Sequence, residues 1–171
     1  MTPQIIFPLD LVLGYVAWLL CFATYVWPRL KAMDSVSAHR AIASLHSFRF
    51  IGLVFLVPGV VGSHLPANFA GFSAYWDLAT AVLALLALLT VRVRPLFWLF
   101  VGAFNIVGAI DLLVDYYHAN SGGLSKMPGE LGAAYLIPVV VVPLLMITHI
   151  TAFYLLIRSR STAARTLSPA C

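Results

Sequence analysis

Apolar residues fall into long runs separated by short polar stretches, and this pattern dominates the chain. A helix needs roughly 20 apolar residues to cross the hydrocarbon core of a bilayer, which is about 30 Å thick. Five runs reach about that length: residues 5–27, 38–62, 74–91, 96–117 and 131–157. The pattern predicts an all-α membrane protein in which residues 1–171 form one five-transmembrane-helix bundle, with Pro28 ending the first helix.

Composition supports a lipid environment and excludes a soluble globular domain. Hydrophobic residues make up 62% of the 171 residues and charged residues only 9%, whereas an ordinary soluble domain has about 25% charged residues. The net charge is +4, but the basic residues lie in short loops between apolar runs and form no extended patch. We therefore expect membrane lipid, and no nucleic acid, as a partner.

The distribution of basic residues predicts how the helices are oriented. Cytoplasmic loops of membrane proteins are enriched in Lys and Arg. Nine basic residues fall on one predicted side and only Lys126 on the other; the nine are Arg29, Lys31, Arg40, Arg49, Arg92, Arg94, Arg158, Arg160 and Arg165. This bias predicts an N-terminus outside and a cytoplasmic C-terminus.

Three ionisable residues form an inner group within the apolar runs. Such residues cost several kcal/mol in a bilayer, so each is a functional candidate that needs a partner. His46 lies about 12 Å of helix rise from position 38, and His149 about 13 Å from Arg158, which predicts similar depths. Two facing histidines suit a b-type haem, with Arg49 neutralising a propionate. The same three residues also suit a quinone or substrate site, or ordinary interhelical hydrogen bonds.

A second, outer group lies on the fourth segment. Asp111, Asp115 and His118 are spaced i, i+4 and i+7, so they share one helix face. Carboxylate and imidazole ligands suit a divalent metal. Two aspartates near a helix C-terminus also oppose the helix dipole, so a salt bridge or solvent is an alternative explanation. With Asp77, the group alternatively forms a ligand or proton site.

Asn105 and two prolines are further polar or irregular features. Asn105 lies between Gly102 and Gly108, where a second backbone approaches closely enough for the amide to form a hydrogen bond. We assign Asn105 to the ligand or proton site, with a structural role as the alternative. Pro138 and Pro143 free backbone carbonyls, which either line a cavity or bind neighbouring helices.

The stretch from Arg49 to about residue 95 resembles the DoxX-like small bacterial membrane proteins. The matching positions are Arg49, Gly52, Leu53, Phe55, Gly59, Pro66, Phe69, Ala70, Asp77 and the Ala/Leu-rich run 79–89. The family usually has Glu in place of Asp77 and four helices. The resemblance implies a compact multi-pass bundle in the bacterial cytoplasmic (inner) membrane, linked to quinone or membrane redox processes. It marks Arg49 and Asp77 as positions of interest.

No motif in the chain specifies a reaction, so whether it is an enzyme stays open. The leading hypothesis is a small membrane protein that binds an apolar or redox-active ligand (quinone, lipid or haem) inside the bundle, as an accessory to membrane redox chemistry. The alternatives are a proton- or cation-coupled transporter of small solutes and a non-catalytic assembly subunit of a membrane complex. A homo-oligomer or a partner membrane subunit is compatible with each of them.

Overall fold

The structure is a computed structural model that describes residues 2–166, with side chains described through residue 158. The described part of the chain is helical and contains no strand. Four of its helices are long and apolar enough to cross a membrane: Pro3–Ala32, Ala67–Leu89, Arg94–Ser121 and Ile137–Arg158. The all-helical class is therefore confirmed, and four of the predicted apolar segments correspond to these helices.

The helical elements follow one another with short connections. In chain order they are α1 (Pro3–Cys21), a π-helical turn (Phe22–Val26), α2 (Trp27–Ala32), α3 (Ser35–His46), a 3₁₀ segment (Ser47–Leu56), α4 (Ala67–Leu89), α5 (Arg94–Ser121), two short 3₁₀ stretches (Leu124–Lys126 and Pro128–Tyr135), a second π-helical turn (Ile137–Val141) and α6 (Val142–Thr166).

The second predicted segment, 38–62, differs most from expectation. It is α-helical only as far as His46, continues as the 3₁₀ segment Ser47–Leu56 and then turns before Pro58. Helical geometry is disfavoured for a residue that precedes a proline. Val57, which precedes Pro58, is extended, and this explains why the helix ends early. A 3₁₀ helix has three residues per turn. Its buried side is accordingly a straight stripe of every third residue: His46, Arg49, Gly52 and Phe55.

Pro28 and Pro143 each lie inside a long helix, just after a π-helical turn. The prediction that Pro28 ends the first helix is wrong, since the helix continues to Ala32. Proline displaces the carbonyl four residues back. Ahead of Pro28, the Trp27 N–H donates to the carbonyl of Phe22, five residues back. The turn before Pro143 has the same spacing, since the Val142 N–H donates to the carbonyl of Ile137.

The last predicted segment begins later than its apolar run suggests. Gly132 has a φ of +51°, which interrupts the helical path, and the membrane-length helix starts at Ile137. A side chain at Gly132 would collide with the carbonyl oxygen of Val60. That oxygen accepts a hydrogen bond from the Ala133 N–H at 3.1 Å. The stretch is therefore attached to the turn that follows the 3₁₀ segment.

Carbonyls near Pro143 bind a neighbouring helix. The Trp18 indole Nε1–H donates to the carbonyl of Val140 at 2.8 Å. The carbonyl of Val139 points at Gly14, where an added Cβ would collide with it. The sequence left two possibilities for these carbonyls, to line a cavity or to contact a neighbouring helix. The carbonyls of Val139 and Val140 contact α1.

Two apolar clusters lie on either side of the buried polar residues. One includes Ile42, Phe97 and Phe104, and the other includes Phe55 and Phe69. The outer faces of the helices carry many exposed large hydrophobic side chains, as expected for surfaces in contact with lipid. The bundle is therefore apolar outside and at both ends of its core, with a polar layer between.

Asp34 caps α3, and this cap gives a prediction for stability against pH. Its carboxylate accepts hydrogen bonds from the backbone N–H groups of Val36 (3.0 Å) and Ser37 (3.1 Å). Hydrogen bonding to Ser37, through its side chain and its backbone, holds the pKa of Asp34 below its usual value. A group with a lowered folded pKa stabilises the protein above its unfolded pKa, about 3.9, and the contribution is lost as pH falls through the folded pKa.

We therefore expect Asp34→Ala to lower the Tm at pH 7, because the first turn of α3 loses its acceptor. The gap to wild type should close as pH falls below about 4. Asp34→Asn is the control, since its side-chain oxygen also accepts these bonds. Thermal melts of the two variants and the wild type from pH 3 to pH 7 measure these differences in Tm. A Tm difference between Asp34→Ala and wild type that stays constant over that range would contradict the assignment of Asp34 as a charged cap.

Candidate functional site

Arg49 is the centre of the buried polar layer. Its Nε donates to Asp77 Oδ1 at 2.6 Å, and its Nη2 donates to Asp111 Oδ2. Its Nη1 donates to the carbonyl of Gly108 and to His149 Nε2, each at 3.2 Å. The Arg49 side chain is only 1% exposed. One guanidinium therefore joins the 3₁₀ segment to α4, α5 and α6.

Two glycines give this guanidinium its space. A Cβ at Gly108 would lie 2.6 Å from both Arg49 Nη1 and His149 Nε2. A Cβ at Gly52, one 3₁₀ turn after Arg49, would collide with the Asp77 carboxylate. Because both positions lack a side chain, α5 and the 3₁₀ segment approach the ion pair closely.

The hydrogen bonds around His149 fix its tautomer. Arg49 has only donors, so His149 Nε2 accepts from it and the proton resides on Nδ1. Nδ1 then donates to Asn105 Oδ1 at 3.0 Å. The Asn105 amide is oriented in turn, because its Nδ2 donates to the carbonyl of Val101 at 2.8 Å. This chain of contacts holds His149 as a neutral imidazole.

His46 lies directly beside His149. Its Nε2 is 3.0 Å from Thr148 Oγ1, and that hydroxyl donates to the carbonyls of Leu144 and Leu145. His46 Nε2 is therefore the donor, and its Nδ1 has no partner among the described residues. The similar depths of His46 and His149 agree with the sequence prediction. Helices that contain them are neighbours, as the inner group requires.

The histidine pair does not fit a b-type haem. The two ring centroids are 4.1 Å apart and the rings are tilted by 42°, so no porphyrin plane with an axial ligand on each face can lie between them. His149 also uses both ring nitrogens in hydrogen bonds. The Arg49 guanidinium already pairs with Asp77 and Asp111, so it is not available to neutralise a haem propionate. The inner group is thus a packed polar contact in this arrangement.

The predicted metal face on α5 is divided among different partners. Asp111 binds Arg49, whereas Asp115 Oδ1 accepts from the Ser73 hydroxyl at 2.6 Å. The ring of His118 packs edge-on against Phe72, with centroids 5.1 Å apart. Within the residues that the structure describes, no group of three His, Cys, Asp or Glu side chains is placed to hold a metal ion. Asp111, Asp115 and His118 therefore form no metal site here.

A cavity of about 70 Å³ lies next to the outer carboxylates. We call it the outer cavity; it is lined by Phe7, Leu11, Phe55, Phe69, Asp77, Leu112, Asp115, Tyr116, Ala119, Leu124, Ile137, Pro138 and Val142. Its walls are almost entirely hydrocarbon and aromatic. A groove of about 390 Å³ adjoins it through four shared residues, Phe7, Leu11, Tyr116 and Ala119. A few polar groups in an apolar pocket are the usual makeup of a small-molecule site.

Several residues of this site were not apparent from the sequence. Ser73, Leu11 and Tyr116 carry no signal of their own, because each lies in an apolar helix of generic composition. Tyr116 Oη is 2.6 Å from Tyr15 Oη, a contact between α1 and α5. Gly52 had a weaker signal, since it is part of the resemblance to the DoxX-like proteins. Asp77 and Asn105, predicted for a ligand or proton site, lie at opposite ends of the Arg49 network.

Residues 6–157 match a family model described as a domain of unknown function, DUF8737. The protein belongs to this family. No protein of curated function matches the chain, and no solved structure matches it. Because the description of the DUF8737 family carries no activity, function has to be argued from the geometry of the site.

Proposed function

We propose that this DUF8737 protein is a small integral membrane protein that binds an apolar ligand, of the lipid or quinone type, in the outer cavity. The observation that carries the proposal is an apolar cavity that contains two carboxylates, Asp77 and Asp115. Asp77 is also bound by Arg49, so a ligand head group there is in contact with the buried ion pair. If the ligand is a quinone, we propose that the protein acts as an accessory to membrane redox chemistry.

The shape of the site supports a ligand with a chain. The outer cavity alone is small, at about 70 Å³, but the adjoining groove offers a further 390 Å³ or so between α1 and α5. Phe7 and Leu11 line both spaces. A ligand of this class places its head near the carboxylates and its hydrocarbon part along α1.

For the membrane topology we propose five crossings, with α3 and the 3₁₀ segment as the second. Together they rise about 38 Å, which is sufficient for a bilayer core. Phe48, Phe50 and Ile51 on this segment are 65%, 49% and 51% exposed, as a lipid-facing surface requires. The excess of Lys and Arg supports an N-terminus outside and a C-terminus in the cytoplasm. We propose the bacterial inner membrane as the location.

The resemblance to DoxX-like proteins stays a prediction. Its two positions of interest, Arg49 and Asp77, form an ion pair with an Nε to Oδ1 distance of 2.6 Å. This contact supports the idea that the two residues act as one unit.

A photoreactive fatty alcohol tests the proposed function. The probe is a C12 alcohol carrying a diazirine, added to the full-length protein in mild detergent, with the labelled peptides mapped by mass spectrometry. We expect saturable labelling of cavity residues. Leu11→Trp should reduce it at least fivefold, because the indole fills the cavity where α1 lines it.

Leu13→Trp is the matched control. Leu13 lies on the same helix and is 54% exposed on the outside of the bundle, so labelling of the cavity should stay at the wild-type level. Labelling that does not saturate, or that both tryptophan variants reduce equally, would count against a site in the outer cavity.

Transport coupled to protons or cations is the second candidate function. The observation that favours it is the π-helical turn Ile137–Val141, whose first residues line the outer cavity. Wide turns of this kind occur often at functional sites. An assembly subunit, or a homo-oligomer, stays a prediction with no contact in the described residues to favour it.

A further inference from the structure

The outer cavity is lined by acidic side chains and by no basic ones. The residues of α1, the 3₁₀ segment and the stretch before α6 present only apolar side chains to it. α4 contributes Asp77, and α5 contributes Asp115 and Tyr116. The Tyr116 hydroxyl is paired with that of Tyr15 at 2.6 Å. Among the lining residues, the groups able to carry charge near neutral pH are therefore both acidic.

The neighbouring polar cluster does not balance these acids. Asp77 and Asp111 share the single guanidinium of Arg49. Asp115 accepts from the neutral hydroxyl of Ser73 and forms no ion pair with any described residue. Within the described part of the chain, three carboxyl groups thus face one cation. His149 adds no positive charge, because its Nε2 accepts a hydrogen bond from Arg49.

One carboxylate oxygen in this region also lacks any partner. Asp111 is fully buried, and its Oδ1 forms no hydrogen bond with the described residues. A buried carboxylate oxygen that lacks a hydrogen bond is costly, even where the other oxygen is paired, and a donor nearby removes that cost. Asp111 does not line the outer cavity, so its unpaired oxygen adds to the excess of acceptors in the cluster, and the unbalanced charge of Asp77 and Asp115 is what bears on the cavity itself.

We propose that the occupant of the outer cavity is an apolar amine, whose ammonium group binds Asp115 and Asp77. This inference rests on the proposed function and, of the two ligand types proposed there, selects a lipid-type ligand with an amino head group over a quinone. The hydrocarbon part lies against Phe7 and Leu11, and the ammonium supplies three donors and the positive charge that the carboxyl groups lack. An apolar alcohol fits the same walls but leaves the charge unbalanced, and an apolar acid adds to the repulsion.

The test compares head groups on one chain. Three diazirine probes with the same C12 chain end in an amine, a hydroxyl or a carboxylate, and each competes with the labelled alcohol for the full-length protein in neutral detergent. We expect the amine to compete at concentrations at least tenfold lower than the alcohol, and the carboxylate to compete more weakly than either. This comparison uses the wild-type protein, so it does not depend on a variant that folds.

A variant then assigns the preference to the cavity. Asp115→Asn should reduce the advantage of the amine to less than threefold, whereas Asp115→Glu should keep it. Asp10→Asn is the matched control, because Asp10 binds Tyr135 at 2.8 Å and does not line the outer cavity. Retention of the full preference in Asp115→Asn would overturn the assignment of the ammonium to this carboxylate.

Failure of the inference can be told apart from failure of the proposed function. Saturable competition by the alcohol with the same potency as the amine would overturn the amine class and leave an apolar ligand in the cavity. Labelling that is not saturable with any of the three probes would overturn both.

Discussion

Arg49→Met should lower the free energy of unfolding by about 3–5 kcal/mol, because removal of one member of a buried ion pair leaves uncompensated charge behind. Two carboxylates, those of Asp77 and Asp111, lose the one cation that pairs with them among the described residues. Methionine has a similar length and apolar stem, so the change removes charge and hydrogen bonds more than volume. Equilibrium unfolding of the purified protein in mixed detergent micelles measures the loss.

A combined variant separates charge from packing. Arg49→Met together with Asp77→Asn and Asp111→Asn removes the cation and both of its anions, and we expect it to recover most of the lost stability. Arg49→Lys should recover less, since an ammonium cannot reach both carboxylates with the fork of donors that a guanidinium has. An Arg49→Met protein as stable as wild type would show that the pair contributes nothing to the fold.

Gly108→Ala should cost about 1–3 kcal/mol, in line with the insertion of a methyl group into a fully packed interior. The new Cβ would lie 2.6 Å from Arg49 Nη1 and from His149 Nε2, and 2.7 Å from the methyl carbon of Thr80. All three side chains belong to buried residues, so none is free to move aside. The loss is measured by the same unfolding experiment as for Arg49→Met.

Gly102→Ala is the control for this prediction. It lies on the same helix as Gly108, and an added Cβ meets nothing within 4 Å. Alanine is the better helix former by about 0.5–1 kcal/mol, so this variant should be as stable as wild type or slightly more so. Equal losses at the two glycines would mean that helix flexibility, and not space for Arg49, explains them.

The class of the fold was predictable because lipid imposes a simple rule on composition and helix length. The long apolar runs around Ala67–Leu89 and Arg94–Ser121 are helices in the structure. The internal geometry was harder to predict. Pro28 suggested a helix end, but the π-helical turn Phe22–Val26 accommodates the proline and the helix continues. Nothing in the residue types at 47–56 distinguishes a 3₁₀ helix from an α-helix.

The candidate site was predictable in its members more than in its pairing. Depth arguments placed His46 and His149 at one level, and the structure places their rings 4.1 Å apart. The same arguments could not give the distance between helix axes, which decides between a haem and a direct contact. Spacing on α5 grouped Asp111 with Asp115, but Arg49 and Ser73, each from another element, separate them into different contacts.

The 3₁₀ segment Ser47–Leu56 carries both Arg49 of the ion pair and Phe55 of the outer cavity. A change in its helical pitch would therefore move one relative to the other. Each residue of a 3₁₀ helix turns about 120° and rises about 2.0 Å, against about 100° and 1.5 Å in an α-helix. Over the six steps from Arg49 to Phe55, a relaxation to α-helical pitch would shorten the segment by about 3 Å and rotate Phe55 by about 120°. Phe55 is part of the cavity wall. With Arg49 held by its carboxylates, the same relaxation would carry one wall of the cavity out toward the lipid.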